Sequence, residues 1–214
     1  MKTDDVIALL ARGPVAVASH GPERRVAAAG AVALPFVVAA MLATLGVRPD
    51  LAAATTLPMF WLKLAVPLAL AAAAYIATTR LARPGGTAAG AWTGVALIVG
   101  SLWLMAAASL LAAAPGERGA LVAGRTALPC VVSIVALSLP LFAATLWALR
   151  SLAPTRPRLA GAAAGLLSAA LTAAVYAVHC DEMAIGFLAV WYVLGMAIPA
   201  TLGALVGPRV LRWT

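Results

Sequence analysis

The chain has 214 residues, of which 64% are hydrophobic and 10% charged; its mean hydropathy is +1.03 and its formal net charge +8. A water-soluble domain is about half apolar and about a quarter charged, and a fold of this size cannot cover so much apolar surface with so few polar residues. The composition therefore excludes an ordinary soluble domain, calls for lipid as solvent, and leaves room for one bundle with short loops but no second globular unit.

Residues 1–25 are the first unit. Met1-Lys2-Thr3-Asp4-Asp5-Val6-Ile7-Ala8-Leu9-Leu10-Ala11 reads as a short helix, with Thr3 as N-cap and Asp4 and Asp5 at the positive end of the dipole. Val6, Ile7, Leu9 and Leu10 form an apolar patch at helical spacing, and Gly13-Pro14 stops the helix. A helix so short is marginal alone in water. Its apolar face wants a partner: the membrane surface, its own bundle, or a groove on a cytoplasmic protein. Asp4, Asp5 and Glu23 stand where a basic start and an apolar run would mark a cleavable signal peptide, so none is expected.

Residues 26–214 form the second unit. About 20 apolar residues cross the hydrocarbon core as a helix, and six such runs follow in order: Val26–Gly46, Leu57–Thr79, Ala89–Ala113, Thr126–Leu149, Leu159–Val178 and Ile185–Val206. Each ends at Pro, Gly or charged punctuation, such as Arg48-Pro49-Asp50 or Pro115-Gly116-Glu117-Arg118. The expected fold is all-α: a polytopic membrane bundle of six transmembrane helices, arranged as three antiparallel hairpins. Pro67, Pro140 and Pro199 fall inside spans and are expected to kink them. Trp61, Trp147 and Trp213 sit at span ends as interfacial anchors. Glycines four apart occur at Gly90/Gly94, Gly161/Gly165 and Gly203/Gly207. Such pairs let helices approach closely in lipid, although an Ala/Gly-rich chain also produces them by chance.

The basic residues orient the bundle. Lys2, Arg12, Arg24, Arg25, Arg80, Arg83, Arg150, Arg156, Arg158, Arg209 and Arg212 fall on one side, and only Arg48, Arg118 and Arg125 on the other. Short cytoplasmic loops are enriched in Lys and Arg, so the first group, and with it both termini, is expected inside. No basic stripe with interleaved aromatics is present, and no direct nucleic-acid contact is expected.

The spans hold almost no ionisable groups, which argues against a translocation path. Lys63 is the exception. Two readings stand for it: it snorkels to the interface, or it pairs with an external acid such as Asp181 or Glu182. No GxSxG, HExxH or P-loop occurs, so no catalysis and no cofactor are expected. Cys130 opens the fourth span and Cys180 closes the fifth, so topology puts both at the external face, where thiols meet an oxidising compartment. His179, Asp181 and Glu182 flank Cys180, and thiolate with imidazole favours soft or borderline metal ions. Three readings compete: ordinary buried thiols, a structural disulfide, or a pair poised to react with oxidants or metals.

Several stretches taken together resemble a known family. They are Met1 to Leu10, Arg48-Pro49-Asp50-Leu51, Phe60-Trp61-Leu62-Lys63-Leu64, Leu128-Pro129-Cys130, Ala153-Pro154-Thr155-Arg156-Pro157, Tyr176-Ala177-Val178-His179-Cys180 and Val190-Trp191-Tyr192. Spread in order over the chain, they resemble the NrsF-like family of six-span bacterial inner-membrane anti-sigma factors. The resemblance implies a protein that holds an extracytoplasmic-function (ECF) sigma factor at the membrane and releases it on heavy-metal or oxidative stress. It implies that Thr3, Asp4, Asp5, Val6, Ile7, Leu9 and Leu10 hold the sigma factor. It also implies that Cys130 and Cys180, with His179 beside them, are the sensor, the two cysteines being the metal ligands if a metal is sensed. A small metal or drug exporter is the rival reading.

Overall fold

The computed structural model of the chain describes residues 3–11, 21–152 and 154–212. All regular structure among the described residues is helical, and they contain no strand. A short helix α1 (Thr3–Ala11) precedes the bundle, as the Thr3–Ala11 pattern predicts. The long helices are α2 (Gly21–Thr44), α4 (Pro58–Leu81), α5 (Ala89–Ala112), α7 (Ala127–Arg150), α8 (Pro157–Tyr176) and a final span from Ile185 to Val210. Short helices α3 (Leu51–Ala54) and α6 (Arg118–Ala123) lie in the connections at one end. The last span is composite: α9 (Ile185–Phe187), a π-helical turn over Leu188–Tyr192, then α10 (Val193–Val210). Six helices are thus long and apolar enough to cross a membrane, matching the six sequence runs to within a few residues. Pro67, Pro140 and Pro199 stay inside continuous helices, joined by Pro35 and Pro208.

The core centres on α8. Its Ala160, Ala163, Ala164, Ala169, Ala170 and Ala173 are fully buried, and the helix packs on α4, α7 and α10. Small side chains explain that position. Helices in lipid gain nothing from hiding apolar surface from one another, so close backbone approach and dispersion must hold them. Two of the three glycine pairs serve this purpose. A Cβ on Gly161 would collide with the Gly203 carbonyl, and one on Gly165 with the Pro199 carbonyl; Gly203 and Gly207 are equally tight against α8. Gly90 and Gly94 face open space, so that pair is a product of composition. A hydroxyl contact of 3.5 Å between Thr145 and Ser168 links α7 to α8.

The two ends differ in charge. At one end Arg83 pairs with Glu23 at 2.6 Å, the Tyr75 hydroxyl donates to the Glu23 carbonyl, and the Gly85 amide donates to the Thr155 hydroxyl. These bonds gather the loops that carry Arg24, Arg25, Arg83, Arg150 and Arg156. The opposite end holds Arg48, Asp50, Arg125, Asp181 and Glu182.

Gly161→Ala should therefore overpack the α8–α10 contact and cost about 1–3 kcal/mol, whereas Gly90→Ala should be neutral or gain up to about 1 kcal/mol of helix propensity. Thermal unfolding in detergent checks both; equal behaviour of the two variants would contradict the packing described.

Candidate functional site: a thiol pair at one end of the bundle

Cys130 lies in the first turn of α7, held by its amide bond to the Thr126 carbonyl at 2.8 Å. Cys180 lies just past α8, where its amide bonds to the Tyr176 carbonyl at 3.1 Å. Both side chains are buried, at 0% and 3% exposure, and both are free thiols. The fold brings the two thiols next to each other. No S–S bond joins them in this structure.

The turn that carries Cys180 is secured by two cations. Lys63, in the second turn of α4, is 1% exposed. Its ammonium donates to the Cys180 carbonyl at 2.6 Å and the Glu182 carbonyl at 2.8 Å. It also sits 5.5 Å from the centre of the Tyr192 ring. Neither sequence reading of Lys63 anticipated this: the partners are the backbone of the acidic turn, and the carboxylates are turned elsewhere. The second cation is Arg48. Its guanidinium grips Asp50 through two 2.7 Å bonds and donates to the same Cys180 carbonyl at 3.2 Å. Its backbone amide donates to the Val178 carbonyl. The hydrogen bond from Arg48 holds the Asp50 carboxyl below the usual carboxylate range, although Asp50 itself is exposed.

Glu182 does a separate task. Its Oε1 accepts from the Arg125 amide at 2.6 Å, and from the Thr126 amide and hydroxyl at 3.2 and 3.3 Å. These donors lie just before α7, so the carboxylate meets the positive end of the helix that bears Cys130. Gly124 has φ +58°, and a side chain there would strike Phe187 and Glu182, so glycine lets the turn close. Arg125 pairs with Asp181 at 3.2 Å, an exposed contact.

Cys180 is the more acidic thiol. Its pKa is lowered, first by the hydrogen bond from the Cys130 thiol, then by the Lys63 charge and the Glu182 backbone N–H, against the opposing effect of burial. Low pKa marks the nucleophilic, metal-binding form. Tyr192, fully buried in the π-helical turn, closes the site; its hydroxyl lies beside Cys180 without a well-formed hydrogen bond. The Trp103 indole donates to the Ala189 carbonyl of the same turn at 3.0 Å. Single π-turns are rare and recur at functional sites.

His179 is placed differently from the cysteines. Its Nδ1 faces the Gly46 carbonyl at 3.1 Å and its ring packs on Tyr176. Among the described residues no three His, Cys, Asp or Glu side chains converge to hold a metal. The two thiols are therefore the ligands available to a soft ion here. On α1, Thr3, Asp4, Asp5 and Ile7 are exposed, Ile7 at 58%. The side chains of Val6, Leu9 and Leu10 lie outside the described residues. Sequence reasoning missed Arg48 and Tyr192. Both lie in stretches that carry the family resemblance, Arg48-Pro49-Asp50-Leu51 and Val190-Trp191-Tyr192, but neither was given a role at the site.

The two buried thiols under a cation-pinned turn thus stand at the end of an all-helical bundle whose six long apolar helices define a polytopic helical protein. The chain belongs to the NrsF family, described as negative regulators of sigma F, whose pattern matches residues 10–213. It is 46% identical to a probable anti-sigma-F factor NrsF of Azospira oryzae and 40% identical to the anti-sigma-F factor NrsF of Caulobacter vibrioides, each over the whole of both chains. These two relatives cover the first nine residues, which precede the family match. No solved structure matches the chain.

Lys63→Met keeps the side-chain bulk and leaves two buried carbonyls short of a donor, at about 1–3 kcal/mol each, eased at Cys180 by Arg48. The variant should melt lower. In the unmodified protein a small thiol reagent at neutral pH should label Cys180 before Cys130, and in Lys63→Met that preference should shrink. Peptide mapping after brief labelling reads both; preferential labelling of Cys130 would contradict the order of acidity.

Proposed function

We propose that this chain is a membrane-embedded anti-sigma factor of the bacterial inner membrane that holds an ECF sigma factor through its N-terminal segment. The observation that carries the reading is end-to-end similarity to two relatives that are themselves named anti-sigma-F factors. The helix Thr3–Ala11 supports it, standing exposed ahead of the bundle. Both termini lie in the cytoplasm, on the basic side. In the resting state Thr3 to Leu10 occupy a groove on the sigma factor and block its access to RNA polymerase. An amphipathic helix in a groove is a common recognition mode. The arginines gathered near Glu23 add attraction for acidic patches on the partner.

The signal is a heavy-metal ion or an oxidant at Cys130 and Cys180. The contact between the two thiols supports this reading. A soft metal ion that bridges the sulfurs displaces their protons. An oxidant that removes two electrons joins them as a disulfide and releases two protons. Either event pulls α7 against the turn after α8, and shifts of packed helices carry that change to the far end. Moving from about 1% to about 99% released takes roughly 5.5 kcal/mol of differential affinity; thiolate–metal ligation or a new S–S bond is strong enough to supply it.

Two experiments test the two halves separately. Ile7→Asp with Leu10→Asp should abolish capture of the sigma factor by the tagged, detergent-solubilised chain; undiminished capture removes the tail from the mechanism. Cys130→Ser and Cys180→Ser, measured with a sigma-dependent reporter, should each blunt induction by metal or oxidant. Normal induction in both would end the thiol account while leaving capture untouched.

A further inference from the structure

Three of the chain's six methionines line one pocket at the thiol end of the bundle. They come from three separate elements: Met59 from the first turn of α4, Met105 from α5, and Met183 from the connection between α8 and α9. The pocket holds about 550 Å³. Its remaining walls include Leu62, Leu121 and Ile185, with Ser109 as the one hydroxyl, and no charged side chain lines it.

Methionine usually fills gaps in a core, and the chain has two that do so. Met41 and Met196 are each 2% exposed. The three in the pocket are different. Met105 is 47% exposed, and Met59 and Met183 are half-buried. A partly open wall of three thioethers costs apolar packing that leucine would supply better. It offers instead three neutral, polarizable thioethers on the wall of one space, from three separate elements.

We propose that Met59, Met105 and Met183 form a thioether site for a soft monovalent cation of the Cu(I) class. Thioethers select soft ions, whereas hard or borderline ions prefer oxygen and imidazole. The pocket has no carboxylate to balance a divalent charge and no imidazole. Thioethers also carry no proton to lose, so binding needs no deprotonation step. Met183 lies three residues after Cys180, within the turn that Lys63 pins. An ion held by Met183 therefore acts on the same turn as the thiol pair. The site itself stands apart from the sigma-factor reading; only this link to the thiols rests on it.

The test uses the full chain in lipid nanodiscs, with Cys130→Ser and Cys180→Ser to remove the thiols, and Ag(I) as a redox-stable probe in chloride-free buffer. Calorimetry should show about one Ag(I) taken up per chain, in keeping with one soft-donor site, and none in the same background carrying Met59→Leu, Met105→Leu and Met183→Leu. Leucine conserves volume, and circular dichroism checks the fold. Met41→Leu with Met196→Leu should retain uptake. No Ag(I) in the serine background, full uptake in the triple leucine variant, or equal uptake of Zn(II) overturns the site. If the triple variant fails to fold, Met105→Leu alone, on the half-exposed side, must weaken binding, and unchanged affinity overturns the proposal. Sigma-factor capture does not enter this assay, so the two readings fail separately.

Discussion

A single ammonium group organises the thiol end of this protein. Taking a lysine cation out of water costs several kcal/mol unless polar partners replace the lost hydration. Lys63 is compensated by two carbonyl oxygens and the face of a tyrosine ring. The compensation is reciprocal, because the chain between Tyr176 and Ile185 contains no regular helix to satisfy those carbonyls internally. The cation needs the turn and the turn needs the cation. Arg48 reinforces this by donating to the same Cys180 carbonyl from the α2–α3 connection. Three segments distant in sequence are thereby tied to one oxygen atom.

That bond network matters because of what α8 is. The helix begins at Pro157, within the arginine-rich end, and finishes just before Cys180. Its glycines and alanines lie in backbone contact with α10 and are buried on most sides. Twenty residues of helix span about 30 Å and do not bend to absorb a displacement when packed this closely. The backbone contact fixes the positions of α8 and α10 relative to each other. α2 and α5 bury less of their surface within the bundle.

The architecture was legible in the sequence because lipid imposes a simple rule. Apolar runs of about 20 residues with punctuated ends allow one structure, the spanning helix. That Cys130 and Cys180 share one face was legible too, since an even number of crossings between similar depths returns the chain to one face; their closeness was not. Other features depended on contacts that no local pattern encodes. Gly161/Gly165 and Gly90/Gly94 are identical as motifs, yet only the first meets another helix. The Lys63 partners are main-chain oxygens, which every residue possesses, so no pairing of charged side chains pointed to them. The π-helical turn at Leu188–Tyr192 leaves no compositional trace, although it sets where Tyr192 closes over the site.

Charge sets the surroundings of Cys180 at this end, although the spans hold so few ionisable groups. Lys63 and Arg48 converge on Cys180, while one nearby carboxylate, Asp50, is held by Arg48 and another, Glu182, is turned to the start of α7. The Lys63 ammonium thus has no carboxylate of its own. The group best placed to answer it is the Cys180 thiol, whose pKa is lowered first by the Cys130 thiol and then by the Lys63 charge. A buried cation without a partner carboxylate favours the thiolate beside it, and a thiolate is the form that attacks oxidants and binds soft metals. The lysine that keeps the turn in place is thus also a charge that lowers the pKa of the Cys180 thiol.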